Sequence, residues 1–129
     1  MSECAAVLDA SAVLAVLQRE PGEHLVSPLL GRAAWSSVNL CEVAGKLTDR
    51  GMPAADVQEA LEALHLTVHD FDSDMGLAAA ELRRIVPRSL SVGDRACLAL
   101  ARRLELPAVT AEKDWQRLEL AGLIVTVIR

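Results

Sequence analysis

Five carboxylates stand where they could hold a cation and activate water: Asp9, Glu42, Asp94, Glu112 and Asp114. Asp9 directly follows the short apolar run Ala5 to Leu8. Glu112 comes just after a second such run, Ala108 to Thr110, and Asp114 lies two residues on. Glu42 falls inside a helical pattern opened by Ser37, and Asp94 falls near the start of one opened by Ser91. Carboxylates gathered at close range repel one another, and their pKa values rise unless a cation sits among them. Hard oxygen ligands suit Mg²⁺ or Mn²⁺. Such ions activate water and stabilise the charge that builds on a phosphodiester under in-line attack.

Each of these acids also has an ordinary structural reading. Asp9 is placed to cap a helix. Glu42 precedes Lys46 by four residues, the spacing of a surface ion pair. The stripe Leu40, Val43, Ala44 and Leu47 would face a core, which turns Glu42 away from it. Asp94 completes Ser91-x-x-Asp, a capping box. Against that, Asp94 shares a helix face with Cys97, Leu98 and Ala101, where an unpaired carboxylate is costly. Glu112 and Asp114 fit a polar turn, and Asp114 could cap a short helix through Leu118. From the residues alone these alternatives stay open.

The elements that would position the acids alternate in type. Strands are expected at Ala5–Leu8, Ala33–Ser36, Leu66–Val68, Ala108–Thr110 and Leu123–Ile128. Helices are expected at Ser11–Gln18, Glu23–Leu30, Ser37–Arg50, Ala54–Leu64, Ser73–Val86 and Ser91–Leu104. Asp9 or Ser11, Ser37, Asp72 and Ser91 are the caps, and Pro21-Gly22, Gly51-Met52-Pro53 and Pro87 are the breaks. Such alternation indicates an α/β fold with a mostly parallel sheet and helices on both faces. In an open sheet of that kind ligands bind at the carboxyl ends of the strands. Asp9 and Glu112 both fall there.

The chain has 129 residues, 52% of them hydrophobic and 24% charged, enough for one domain with a real core over 1–129. No apolar run approaches the roughly 18 residues of a membrane span, so no membrane partner is expected. Three cysteines without a CxxC pair, and no basic stretch before the first apolar run, point to a reducing, cytoplasmic setting. The net charge of −5 and an aromatic content of 2% exclude a bulk-basic duplex binder and an aromatic stacking platform. Setting four candidate site acids aside takes −5 to −1, a surface that need not repel RNA. His24, His65 and His69 have no metal-ligand spacing. Cys41 and Cys97 read as small residues in the wall of the site, and Trp35 and Trp115 as core or rim.

Four segments, in order along almost the whole chain, resemble the motifs of PIN-domain ribonucleases, specifically the VapC-like toxins of type II toxin–antitoxin pairs. They are Val7-Leu8-Asp9-Ala10-Ser11-Ala12, Ser36-Ser37-Val38-Asn39-Leu40-Cys41-Glu42-Val43, Leu90-Ser91-Val92-Gly93-Asp94-Arg95-Ala96 and Leu106 to Trp115. The family usually has aspartate two residues after the threonine of the last motif. Here that position is Glu112, so the fourth acid is Glu112 or Asp114. The resemblance implies a three-layer α/β/α sandwich. It implies an Mg²⁺- or Mn²⁺-dependent endoribonuclease in which Asp9 and Asp94 hold the metal and Glu42 completes or orients its water shell. Ser11, Asn39 and Thr110 would orient ligands, water or phosphate, with capping as their ordinary alternative. Arg95, beside Asp94, is the first candidate for a phosphate contact. The implied partners are an RNA (tRNA or rRNA), a cognate antitoxin and a second copy of the chain. Leu25–Leu30 and Ala54–Leu64 are candidate surfaces for the protein contacts.

Two rival classes follow from the same residues. One is a catalytically silent PIN-like module that binds protein or RNA. The other is a phosphotransfer fold, a receiver or a haloacid dehalogenase-like enzyme, which also places an aspartate after its first strand. The receiver's acidic pair is missing, and the second acid of the dehalogenase motif is replaced by Ser11. Fold alone does not choose among functions.

Overall fold

The computed structural model describes residues 3–129 and contains a five-stranded parallel sheet between two layers of helices. The strands are β1 (Ala6–Leu8), β2 (Ala33–Ser36), β3 (Thr67–His69), β4 (Ala108–Thr110) and β5 (Val125–Val127). Their order across the sheet is β3-β2-β1-β4-β5, with every pairing parallel. The chain therefore starts in the middle of the sheet, works out to one edge, and returns to β4 on the other side of β1. The order reverses between β1 and β4, and there the carboxyl ends of the strands open a crevice.

The helices are α1 (Ala10–Leu17), α2 (Glu23–Val26), α3 (Ser37–Asp49), α4 (Ala54–Glu62), α5 (Ser73–Glu81) and α6 (Val92–Leu104). Alternation along β1 loads both faces of the sheet. Ala6 and Leu8 join Val13, Val43, Val57 and Trp35 on the side of α1 to α4. Val7 joins Met75, Ala79, Leu98 and Leu100 on the side of α5 and α6. Val7 and Leu8 are fully buried, and burying such a side chain contributes about 2 kcal/mol. That two-sided packing holds the end of β1, and with it the next residue, Asp9, in place. Among the described residues no helix is long and apolar enough to cross a membrane.

Several boundaries differ from the sequence expectation for local reasons. Ser36, not Ser37, caps α3, accepting from the Val38 amide at 3.1 Å. Ser37 Oγ accepts from the Phe71 amide at 2.9 Å and ties the loop after β3 to α3. The helix expected to run to Leu30 ends at Val26, and a 3-10 turn follows at Ser27–Leu29, because Pro28 lacks the amide that would continue an α-helix. The helix expected to reach Val86 ends at Glu81 and tightens into a 3-10 turn at Leu82–Arg84. Pro87 disfavours the helical conformation of the residue before it. β5 is three residues instead of six, because the Leu123 amide is bonded to Leu120 O in a turn with Gly122 at φ 76°.

Candidate active site

Asp9 is the N-cap of α1 and is only 3% exposed. Its Oδ1 accepts from the Ala12 amide at 2.9 Å and from Ser11 Oγ at 2.8 Å. Its Oδ2 accepts from Thr110 Oγ1 at 2.7 Å, across the β1–β4 reversal. A hydroxyl has one proton. Ser11 and Thr110 each give theirs to Asp9, and each accepts a backbone amide in return. Ala111 N–H donates to Ser11 Oγ and Glu112 N–H to Thr110 Oγ1, both at 2.9 Å. The turn after β4, including Glu112, is thereby hung from Asp9.

Three hydrogen bonds favour the charged form of Asp9, but burial outweighs them. The pKa rises from 3.8 to about 6, with desolvation as the largest cause and the nearby charge of Asp94 adding to it.

Glu42 is exposed on α3 and makes no ion pair with Lys46 among the described residues, contrary to the surface-pair reading. Instead its Oε1 accepts from Asn39 Nδ2 at 2.8 Å. The same nitrogen donates to Gly93 O at 3.1 Å. Asn39 is 1% exposed and its Oδ1 is buried without a hydrogen-bond partner. The Glu42 carboxylate lies in the space a Cβ on residue 93 would occupy. Only glycine at that position lets α3 present Glu42 against the start of α6. The sequence motif carries no sign of this role for Gly93; the Asn39-x-x-Glu42 spacing is the signal that the two side chains share one face of α3.

Asp94 completes the capping box of α6. Its Oδ2 accepts from the Ser91 amide at 2.9 Å, and its own amide donates to Ser91 Oγ at 3.1 Å. One turn further along α6 the Cys97 thiol is fully buried. Its pKa is pushed well up, first by burial, then by the charges of Asp9, Asp94 and Glu42. Acids from the β1–α1 junction, α3 and α6 thus all act on the same buried sulfur through their charge. Glu112 and Asp114 stand further out. With Asp94, Ser91 and Trp115 they line a cleft of about 350 Å³. Asp114 does not open the short helix after β4; the 3-10 turn Lys113–Arg117 starts one residue before it.

Arg95 is turned away from this cleft. Its Nη1 donates to Ala79 O of α5 at 3.2 Å, and its Nε is buried without a partner. Cys41 is exposed, so only Cys97 belongs to the buried wall. Trp35 and Trp115 are both buried.

The family model for the PIN domain matches residues 6–120. The chain belongs to the PIN-domain family. The match runs from β1 past the turn after β4, so it takes in all five acids. Solved structures share the fold at low identity. A DNA-bound VapBC complex from Salmonella typhimurium aligns with a TM-score of 0.75 at 16% identity, over 98% of this chain and 99% of that one. A toxin–antitoxin complex from Klebsiella pneumoniae aligns at 0.72 and 19%, over 93% and 96%. A sarcin–ricin loop-cleaving VapC toxin of Mycobacterium tuberculosis aligns at 0.70 and 21%, over 87% and 93%. No curated protein matches the sequence significantly.

The donor set of this PIN domain fits a hard divalent cation. Asp9, Glu42 and Asp94 offer carboxylate oxygens, and none of them is ion-paired among the described residues. As the side chains lie, no three acids, histidines or cysteines among the described residues form a ready ligand cage.

Proposed function

We propose that this PIN domain, one domain over 1–129, is a metal-dependent endoribonuclease acting as the toxin of a cytoplasmic toxin–antitoxin pair. The observation that carries the reading is the way two acids are held beside the reversal point of the sheet: Asp9 by Ser11 and Thr110, and Glu42 by Asn39 against Gly93, the neighbour of Asp94, with none of the three acids ion-paired among the described residues. Asp9, Asp94 and Glu42 would hold Mg²⁺ or Mn²⁺, which would supply positive charge to activate water and to offset charge building on the phosphodiester. Ser11 and Thr110 hold the Asp9 carboxylate in one orientation. Asn39 does the same for Glu42, and Gly93 leaves Glu42 room. Glu112 or Asp114 serves as the outer, fourth acid across the cleft from Asp94. Attack by water leaves 5′-phosphate and 3′-hydroxyl ends. Arg95 acts through packing of α6 on α5 rather than on phosphate.

The substrate is an RNA, tRNA or rRNA by family resemblance, and the active form is a homodimer. A cognate antitoxin covers the apolar groove between α3 and α4. That groove, about 420 Å³, is lined by Leu40, Ala54, Val57 and Leu61.

The test is cleavage of total cellular RNA by antitoxin-free protein with Mn²⁺ or Mg²⁺, beside a chelator control and Asp94→Asn. The expected result is metal-dependent cutting that the folded variant lacks. Undiminished cutting by Asp94→Asn would reduce Asp94 to a cap. No cutting by folded, metal-bound protein would favour the silent binding module, the reading for which Glu112 in the last motif leaves room.

A further inference from the structure

A second cavity, about 310 Å³, opens on the other side of Glu112 from the acidic cleft. Its lining adds three cations, Lys46, Arg50 and Arg129, to the carboxylates of Glu20 and Glu112. Lys46 comes from the last turn of α3, Arg50 is the residue that caps that helix, and Arg129 comes from beyond β5. Ser11 forms part of the same wall, and its hydroxyl donates to Asp9. The cavity is therefore one side chain away from the buried acid.

The three cations are not equally free. Arg129 Nη2 pairs with Glu20 at 3.2 Å, and its Nε donates to Pro21 O. Arg50 is held by a neutral group. With the Gln18 amide oriented so that its oxygen faces the guanidinium, Oε1 accepts from Nη1 at 2.6 Å and from Nη2 at 3.0 Å. The Gln18 nitrogen then donates to Glu20 at 2.9 Å. Arg50 is thus oriented without being neutralised, and Lys46 has no carboxylate partner among the described residues. Arg95, the arginine expected to contact phosphate, is spent otherwise, on Ala79 O.

We propose that this cavity binds a backbone phosphate of the RNA strand flanking the bond held at Asp9, with Lys46 and Arg50 as the contacts. The inference rests on the nuclease reading above. It gives a chain of net charge −5 a local purchase on a polyanion. An oriented guanidinium beside a flexible ammonium is a suitable pair of phosphate donors. Arg129, already neutralised by Glu20, acts as the far wall.

The test uses full-length protein and a fluorescently labelled single-stranded RNA in chelator, where no cleavage competes with binding. Lys46→Ala with Arg50→Gln is compared with Arg102→Ala and Arg103→Ala. The control pair removes the same charge from the last turn of α6, the end away from Asp94. The cavity variant should bind RNA more weakly, on the order of tenfold or more. Its log–log salt slope should shrink by about 1.4, because each contact to a single strand contributes about 0.7. With Mn²⁺ its KM should rise while kcat stays near that of the unaltered protein. If the unaltered protein cleaves RNA and the cavity variant matches the control in affinity and salt slope, this inference fails alone. If the unaltered protein neither binds nor cleaves RNA, the nuclease reading fails with it.

Discussion

Replacing Asp9 by asparagine should change the pH dependence of stability by an amount that follows from burial. The Asp9 pKa is about 6 in the fold against 3.8 ordinarily. Well below 3.8 the carboxyl is protonated in both folded and unfolded chains and costs nothing. As pH rises from 3.8 to 6, the unfolded chain loses its proton first, so this group increasingly favours unfolding. Above 6 the cost is complete. A shift of about two units at 1.36 kcal/mol each makes it about 3 kcal/mol. Roughly 2 kcal/mol of that cost builds up between about pH 4.5 and 7.5. Asparagine does not titrate, so the stability of Asp9→Asn relative to the unaltered protein should improve by about 2 kcal/mol over that interval. Urea unfolding in chelator at the two pH values measures the double difference, in which every titrating group not coupled to Asp9 cancels. A relative stability constant to within about 0.5 kcal/mol would refute the claim that burial dominates over the Ser11, Thr110 and Ala12 bonds. Saturating Mn²⁺ at the higher pH should stabilise the unaltered protein and not the variant.

Two further substitutions separate positioning from folding. Gly93→Ala places a Cβ in the space of the Glu42 carboxylate. That carboxylate is the far end of a flexible side chain, and alanine gains up to about 1 kcal/mol of helix propensity over glycine. Thermal stability should hold or rise slightly while RNA cleavage falls tenfold or more; unchanged cleavage would mean Glu42 need not stand against α6. Asn39→Asp sets a carboxylate against Glu42 Oε1 and Gly93 O, both acceptors. It should cost about 3 kcal/mol in urea unfolding at neutral pH and less in acid. A neutral result would mean that the Asn39 amide is not holding α3 to α6.

Most of the architecture was readable because its punctuation is local. Asp72 and Ser91 cap the helices they were expected to cap, and the strands Ala33–Ser36 and Ala108–Thr110 appear with those bounds. What sequence could not give was set by neighbours. Ser36 and Ser37 are both competent caps, and the choice depends on Phe71, 34 residues away, taking the Ser37 hydroxyl. The apolar run Leu123–Ile128 looks like one strand until the turn at Gly122 claims its first residues. The basic cavity was illegible for the same reason. Lys46 and Arg50 stand one turn apart on α3, but Arg129 is far from them in the chain, and α3 must pack beside the end of β5 before the three share a wall.

In the sequence alone the acids read equally as caps and as ligands. The structure shows why the sequence could not choose. A cap and a ligand need the same thing, a carboxylate at the point where a strand or loop turns into a helix. They do not need the same oxygens. The Asp94 box uses Oδ2 alone, and Oδ1 accepts no hydrogen bond among the described residues. Asp9 is more heavily committed, yet two of its three donors are hydroxyls, which can reorient as a cation approaches, whereas the Ala12 amide cannot. Capping thus holds each carboxylate at a defined place and leaves it part of its coordinating capacity. Glu42, which caps nothing, reaches the same place by a different device, an amide from Asn39 and a missing side chain at Gly93. That device spans α3 and α6, so the helical stripe that turned Glu42 toward solvent described its own helix correctly and missed the other one.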